Sequence, residues 1–188
     1  MAVALPPSIV ITLAINPPIS KKGATDVEMS VTAVSNASYP ITVFTWPSIL
    51  NPGLAQLRRN FRGFDRDTAK PLPMRSMFVK RVPYEMVLGG ADDAFFVTLE
   101  PAQPARFNAT FGLAHDKAMD YGHFALPGHR YLIDVAPGEN VEWWKKGRKE
   151  DVLDLPGQPS RGGYHADGKP TLLTIDEPIE FKLLPLDN

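Results

Sequence analysis

The chain has 188 residues, 44% of them apolar, and a formal charge of −1 from 20 Lys and Arg against 21 Asp and Glu. That is enough chain for one domain with a hydrophobic core, and the balanced charge supplies no field that would draw nucleic acid or an anionic membrane surface. With no cysteine, disulfides, thiolate catalysis and thiolate metal ligation are excluded, which fits a reducing, cytoplasmic setting.

Residues 1–7 lack a basic n-region and a sustained apolar stretch, so neither a signal peptide nor a membrane span is expected. A leader trimmed from the chain would instead make the protein secreted. The 19 prolines are scattered between apolar runs and mark loops of an ordered fold. No repeat or boundary divides residues 1–188, which read as a single domain.

The first apolar run, residues 8–15, is β-branched and followed by Asn16-Pro17-Pro18. It reads as a strand, and the prolines suit an edge position. Residues 26–36 alternate most clearly, with Val27, Met29, Val31 and Ala33 on one face and Glu28, Ser30 and Thr32 on the other. Residues 41–46 carry apolar side chains on both faces, which predicts a central strand, with Trp46 as the large aromatic of the core. Residues 51–69 place Arg58, Arg59, Arg62 and Arg66 near Phe61 and Phe64. Arginine interleaved with aromatics can stack on nucleotide bases. Asp65 and Asp67 offset the charge, and a charged edge strand is the reading taken.

Further strands are expected over residues 75–83, 95–99 and 107–113, with a long loop between the first two. Residues 126–135 form a corner and a strand. Leu126-Pro127-Gly128 turns the chain, because proline fixes φ and glycine accepts a positive one; Tyr131, Ile133 and Val135 then alternate with Leu132 and Asp134. A short strand around Trp143 and Trp144 precedes a long loop, residues 145–169, with a helical turn near residues 150–155. Strand material over residues 171–175 and 178–184 closes the chain. The expected class is an all-β, antiparallel sandwich of about seven to nine strands, with a long loop before the last one.

The corner Leu-Pro-Gly-x-x-Tyr-x-Ile-x-Val resembles strand F of immunoglobulin-like and fibronectin-type sandwiches. In that resemblance Tyr131 is the corner tyrosine, Ile133 and Met29 or Val31 stand where the disulfide cysteines would be, and Trp46 stands for the strand C tryptophan. Residues 32–43, Pro127 to Tyr131 and Asp176 to Phe181 are similar to segments of the immunoglobulin-like N-terminal region of deuterolysin-type fungal metalloproteases. The His-Glu-x-x-His zinc helix of those proteases is missing here, so the resemblance implies a fold and no proteolysis.

Chemistry-bearing residues are few. His115, Asp116, Asp120 and His123 lie within nine residues and read as a solvated polar loop, an acid–base pair or, least so, a metal site. His165 sits in a glycine-flanked Tyr-His-x-Asp segment suited to a loop that closes over a ligand. Trp143 and Trp144 point to opposite faces if extended, so one is buried and the other either contacts a ligand or is covered by the loop. No phosphate loop, dinucleotide fingerprint or nucleophile elbow occurs.

Two functions compete. One is a non-catalytic immunoglobulin-like module that binds a small molecule or a protein through its end loops. The other is a cofactor-free isomerase or cyclase of a biosynthetic pathway, with acid–base groups from His115, Asp116, Asp120, His123 and His165 and walls from Trp143, Trp144 and Tyr164. Neither calls for a cofactor or metal, and nucleic acid and membrane are not expected as partners.

Overall fold

A computed structural model describes residues 6–16, 26–72, 77, 83–112, 128–160 and 164–182. The described residues are mostly β, with twelve strands and two short helices. In chain order these are β1 (Ile9–Ile15), β2 (Asp26–Ser35), β3 (Ile41–Phe44), α1 (Pro52–Leu57), β4 (Phe61–Asp65), β5 (Lys70–Leu72) and β6 (Phe96–Leu99). They are followed by β7 (Pro104–Gly112), β8 (Arg130–Val135), β9 (Asn140–Val141), β10 (Trp144–Lys146), α2 (Lys149–Val152), β11 (Thr171–Ile175) and β12 (Ile179–Lys182). The surplus over seven to nine comes from two- and three-residue strands, β5, β9 and β10, which are too short to carry an alternation in sequence.

The first sheet runs β7-β2-β1-β11-β9. Its register stacks Ile11 beside Ala33 and Ala105, and Leu13 beside Val31 and Phe107, on one face. The other face is polar: Ser30 donates to Asn108 at 2.7 Å and Thr12 to Asp176 at 2.9 Å. This is the period of two expected when one face meets a core and one meets water. The edge assignment of β1 is corrected. It lies inside the sheet, antiparallel to β2 and parallel to β11, because Ile9, Ile11 and Leu13 are buried and need neighbours on both sides.

The second sheet, β10-β3-β6, has β3 in the middle with all four side chains buried. The third is β12-β8-β4-β5. Here too a correction is needed, since the Arg- and Phe-rich segment supplies an interior strand, β4, preceded by α1. The helix has only six residues and no apolar period to reveal it. It starts where the Asn51 side chain accepts the Leu54 N–H at 3.4 Å, with Pro52 in the first turn, and ends at Arg59, whose φ is 62°. Arg62 on β4 pairs with Asp134, and Arg66, just past the strand, lies 3.5 Å from Glu180. Two of the four arginines are thus engaged across strands.

One hydrophobic cluster draws on all three sheets, with Ile11 and Val31 from the first, Ile41, Leu99 and Trp144 from the second, and Phe61, Tyr131 and Ile133 from the third. Gly128 has φ 87°, the conformation the corner requires. Tyr131 and Ile133 are fully buried, while Trp46 is not the core aromatic. That place belongs to Trp144, because β3 ends at Phe44 and Trp46 falls in the turn beyond it. The predicted strand at residues 75–83 lies almost wholly outside the described residues.

Candidate functional site

Beside the main core is a second, smaller cluster. Phe44, Met86, Phe96, Trp143 and Leu153 are buried in it, with Trp46, Tyr84, Phe95 and Ala166 packed at its margin. Tyr84 stacks on Phe44 with centroids 4.4 Å apart, and Phe96 meets Trp143 edge to face at 5.3 Å. Five stretches distant in sequence build it: the end of β3, the 84–88 segment, the start of β6, the β9–β10 link and the 153–166 loop.

The tandem tryptophans divide between the clusters. Trp144 faces the main core, and its indole N–H donates to the Lys169 carbonyl at 2.9 Å. Trp143 turns to the second cluster, is 5% exposed, and its indole N–H has no acceptor. A buried donor left in that state costs about 1–3 kcal/mol. The expectation that the pair would point to opposite faces is met, and both rings are covered.

Charged and polar groups are linked to this cluster through Trp46 and Tyr84. The Asn60 amide donates to Glu139 through a very short contact, and the amide oxygen of Asn60 is buried without a partner. Burial pushes the Glu139 carboxyl above its ordinary range; the Asn60 bond and the Arg58 charge oppose this, and Glu142 adds to it. Arg58 itself lies over Trp46, 5.1 Å from the ring centroid. Burial likewise raises the Tyr84 hydroxyl, helped by Glu142 and Tyr164. Glu142 is exposed and makes no hydrogen bond or ion pair among the described residues. Its charge therefore acts on Glu139 on one side and on Tyr84 on the other.

Of the residues singled out in the sequence, Trp143 falls at this site, and Tyr164, 52% exposed, is linked to it through its effect on the Tyr84 hydroxyl. His165 is exposed beside it. The loop that carries them is tied to β10: Asp167 accepts the Lys146 N–H at 2.8 Å, and its own N–H donates to the Trp144 carbonyl at 3.1 Å. His115, Asp116, Asp120 and His123 lie outside the described residues. Sequence reasoning missed Tyr84, Asn60, Glu139 and Glu142, and read Arg58 only as part of a charged edge strand. Each is isolated in sequence, and only the pairing of β4 with β8 and the turn after β8 brings Asn60 to Glu139.

The corner presents a different cluster. Donor atoms of Asp65, Asp67 and His129 lie within 4.8 Å of one another, a spacing that could hold a metal ion. Those atoms are already engaged, however. Asp65 accepts from the Asp67 and Thr68 N–H groups and lies 2.9 Å from His129 Nδ1. Asp67 accepts from the backbone and guanidinium of Arg130. A guanidinium in the cluster supplies the positive charge a metal would bring, so the arrangement reads as a tie between the turn after β4 and the start of β8.

No protein-family model matches the chain, and no curated protein matches it in sequence.

Proposed function

We propose that the protein is an immunoglobulin-like β-sandwich module that binds a small molecule at the second aromatic cluster. The fold part of this reading is supported by Tyr131 and Ile133 buried on β8; the parallel pairing of β1 with β11 departs from the all-antiparallel sheets expected. The binding part is carried by one observation: Trp143, 5% exposed among aromatic rings, holds an indole N–H with no acceptor. Apolar walls with a few unsatisfied polar groups are the usual make-up of a small-molecule site. Tryptophan fluorescence of the full chain, titrated with neutral aromatic alcohols and ketones, tests it. A saturable change that Trp143→Phe removes, with the far-ultraviolet circular dichroism preserved, is the expected result. A flat response across the panel would overturn the reading.

A second reading, a cofactor-free isomerase or cyclase, is favoured by Glu139, a desolvated carboxyl whose proton is held above the ordinary range. There Glu139 joins His165 and the four residues of the 115–123 segment as a candidate acid–base group. Turnover of a cyclisable substrate that survives Glu139→Gln unchanged would remove Glu139 from that role.

A further inference from the structure

Strand β7 is the outer strand of the first sheet, nine residues long, and among the described residues no strand lies on its far side. The direction of its backbone groups follows from the register. Asn16 donates its N–H to the Glu28 carbonyl, so the backbone of Glu28 faces β1 and turns away from β7. Thr110, opposite Glu28, therefore exchanges no backbone bond with β2, and its N–H and C=O point outwards. Asn108, Arg106 and Pro104 follow at steps of two and do the same. In keeping with that direction, the Thr110 carbonyl accepts from the Gln56 side chain of α1 at 2.9 Å. At the other end Pro104 has no N–H to offer. Between these ends Arg106 and Asn108 are exposed, and among the described residues no backbone partner meets their outward donors and acceptors. A bare edge of this kind is a template for another strand.

We infer that β7 pairs antiparallel with β7 of a second copy of the chain, with Arg106 opposite the partner's Asn108, so that two first sheets become one. In this register the two ends of the edge complement each other. Pro104, which lacks a donor, faces the partner's Thr110, whose carbonyl already has one in Gln56. Arg106 and the partner's Asn108 exchange both backbone bonds. On the inner face the half-buried Phe107 meets the partner's Phe107 at a close, non-hydrogen-bonded position, where aromatic pairs are favourable. Ala109 lies 3.7 Å from the place a Cβ on Gly53 of α1 would take, and it faces the partner's Ala105, small enough to leave the helix where it is. On the outer face Arg106 makes no ion pair among the described residues. Within one chain two rows separate it from the exposed Glu28; the pairing brings it one row from the partner's Glu28. Neighbouring registers lack this fit. Arg106 opposite the partner's Arg106 sets two like charges face to face. Asn108 opposite the partner's Asn108 aims the partner's Arg106 N–H at the Thr110 carbonyl, where the Gln56 amide already stands.

Sedimentation velocity of the full chain from micromolar to millimolar concentration is expected to show a monomer–dimer equilibrium. Arg106→Pro removes an outward N–H and the unpaired cation and leaves the ladder to β2 intact, as Pro104 already does. It is expected to weaken the dimer about tenfold or more, with the circular dichroism unchanged. Disulfide trapping reads the register, because the chain has no cysteine of its own. Phe107→Cys sets two thiols at facing positions and is expected to oxidise to a covalent dimer. Ala105→Cys faces the partner's Ala109 and is expected to be trapped far more slowly. A chain that stays monomeric throughout, a dimer indifferent to Arg106→Pro, or equal trapping of the two cysteines overturns the inference. Should Arg106→Pro unfold the chain, the contrast between the two cysteines decides.

Discussion

Trp143 and Trp144 are adjacent, equally large and both covered, yet they sit in regions built to different standards. Around Trp144 the indole N–H is paired and the side chain belongs to a cluster that joins three sheets. Around Trp143 the N–H is orphaned, and Glu142 makes no ion pair among the described residues. The carboxylates repeat the contrast. At the corner, burial of Asp65 opposes ionisation, but hydrogen bonds from His129, Thr68 and the backbone outweigh it and hold the carboxyl below its ordinary range. Glu139 has one amide bond, and burial wins. Two regions of one chain, made from the same residue types, thus have opposite electrostatics. Buried polar atoms without a partner also occur on the first sheet, at Thr171 Oγ1 and Asn140 Oδ1, so the contrast between the two tryptophans is local.

The largest expected effect separates the two tryptophans. Trp144→Phe removes a paired donor, strands the Lys169 carbonyl and leaves a void in the main core, at a cost of about 3 kcal/mol. Trp143→Phe also loses ring area, but it deletes a donor that was already unsatisfied, so its cost is about 1 kcal/mol or less. Urea denaturation of both variants measures the gap. Equal losses would show that the second cluster is as tightly satisfied as the first.

At the corner, Asp65→Ala is expected to cost about 2 kcal/mol at pH 7, through loss of charge-assisted bonds to His129 and the turn. The folded Asp65 carboxyl lies below its unfolded value. Its contribution is therefore present above the unfolded value and is lost as pH falls through the folded one. The gap between wild type and variant should accordingly narrow as the solution is acidified through the carboxylate range. A gap that stays constant with pH would mean that Asp65 contributes shape and not charge.

Much of this architecture is legible in the sequence because alternation is a local signal. Val27 to Ala33 announce β2, and Tyr131, Ile133 and Val135 announce β8, since one buried face imposes a period of two. The glycine of the corner is legible for a similar reason: few residues other than glycine readily take a φ of 87°. What fails is whatever depends on partners. The place of β1 inside its sheet follows from β11, more than 150 residues away. Trp46 and Trp144 exchange roles because a turn begins two residues sooner than the apolar run ends. Helix α1 is too short to show a period. The candidate site suffers most. A clustering of histidines in sequence draws attention to residues 115–123, whereas Glu139, Asn60 and Tyr84 come from separate segments, each unremarkable alone. The Pro137-Gly138-Glu139 turn carries no sign that its acid will be half-buried.

The last comparison turns on that acid, and its expected effect is smaller and opposite in sign to that at Asp65. The folded Glu139 carboxyl lies above its unfolded value because burial disfavours the charge. Between the two values the folded chain holds the proton more firmly than the unfolded chain, so stability falls as pH rises through that window. Glutamine keeps the shape and the bond to Asn60 and has no proton to lose. Glu139→Gln should therefore match wild type in mildly acidic solution and become the more stable protein as pH rises past the folded value. Denaturation midpoints of the two proteins across the pH series provide the measurement. A variant less stable than wild type at pH 7 would show that the Glu139 charge is compensated after all, by Arg58 over Trp46. If the glutamine variant gains stability and at the same time loses small-molecule binding at the second cluster, Glu139 is destabilising for the free protein and useful only to the complex. That combination distinguishes a ligand-binding carboxylate from a structural one such as Asp65.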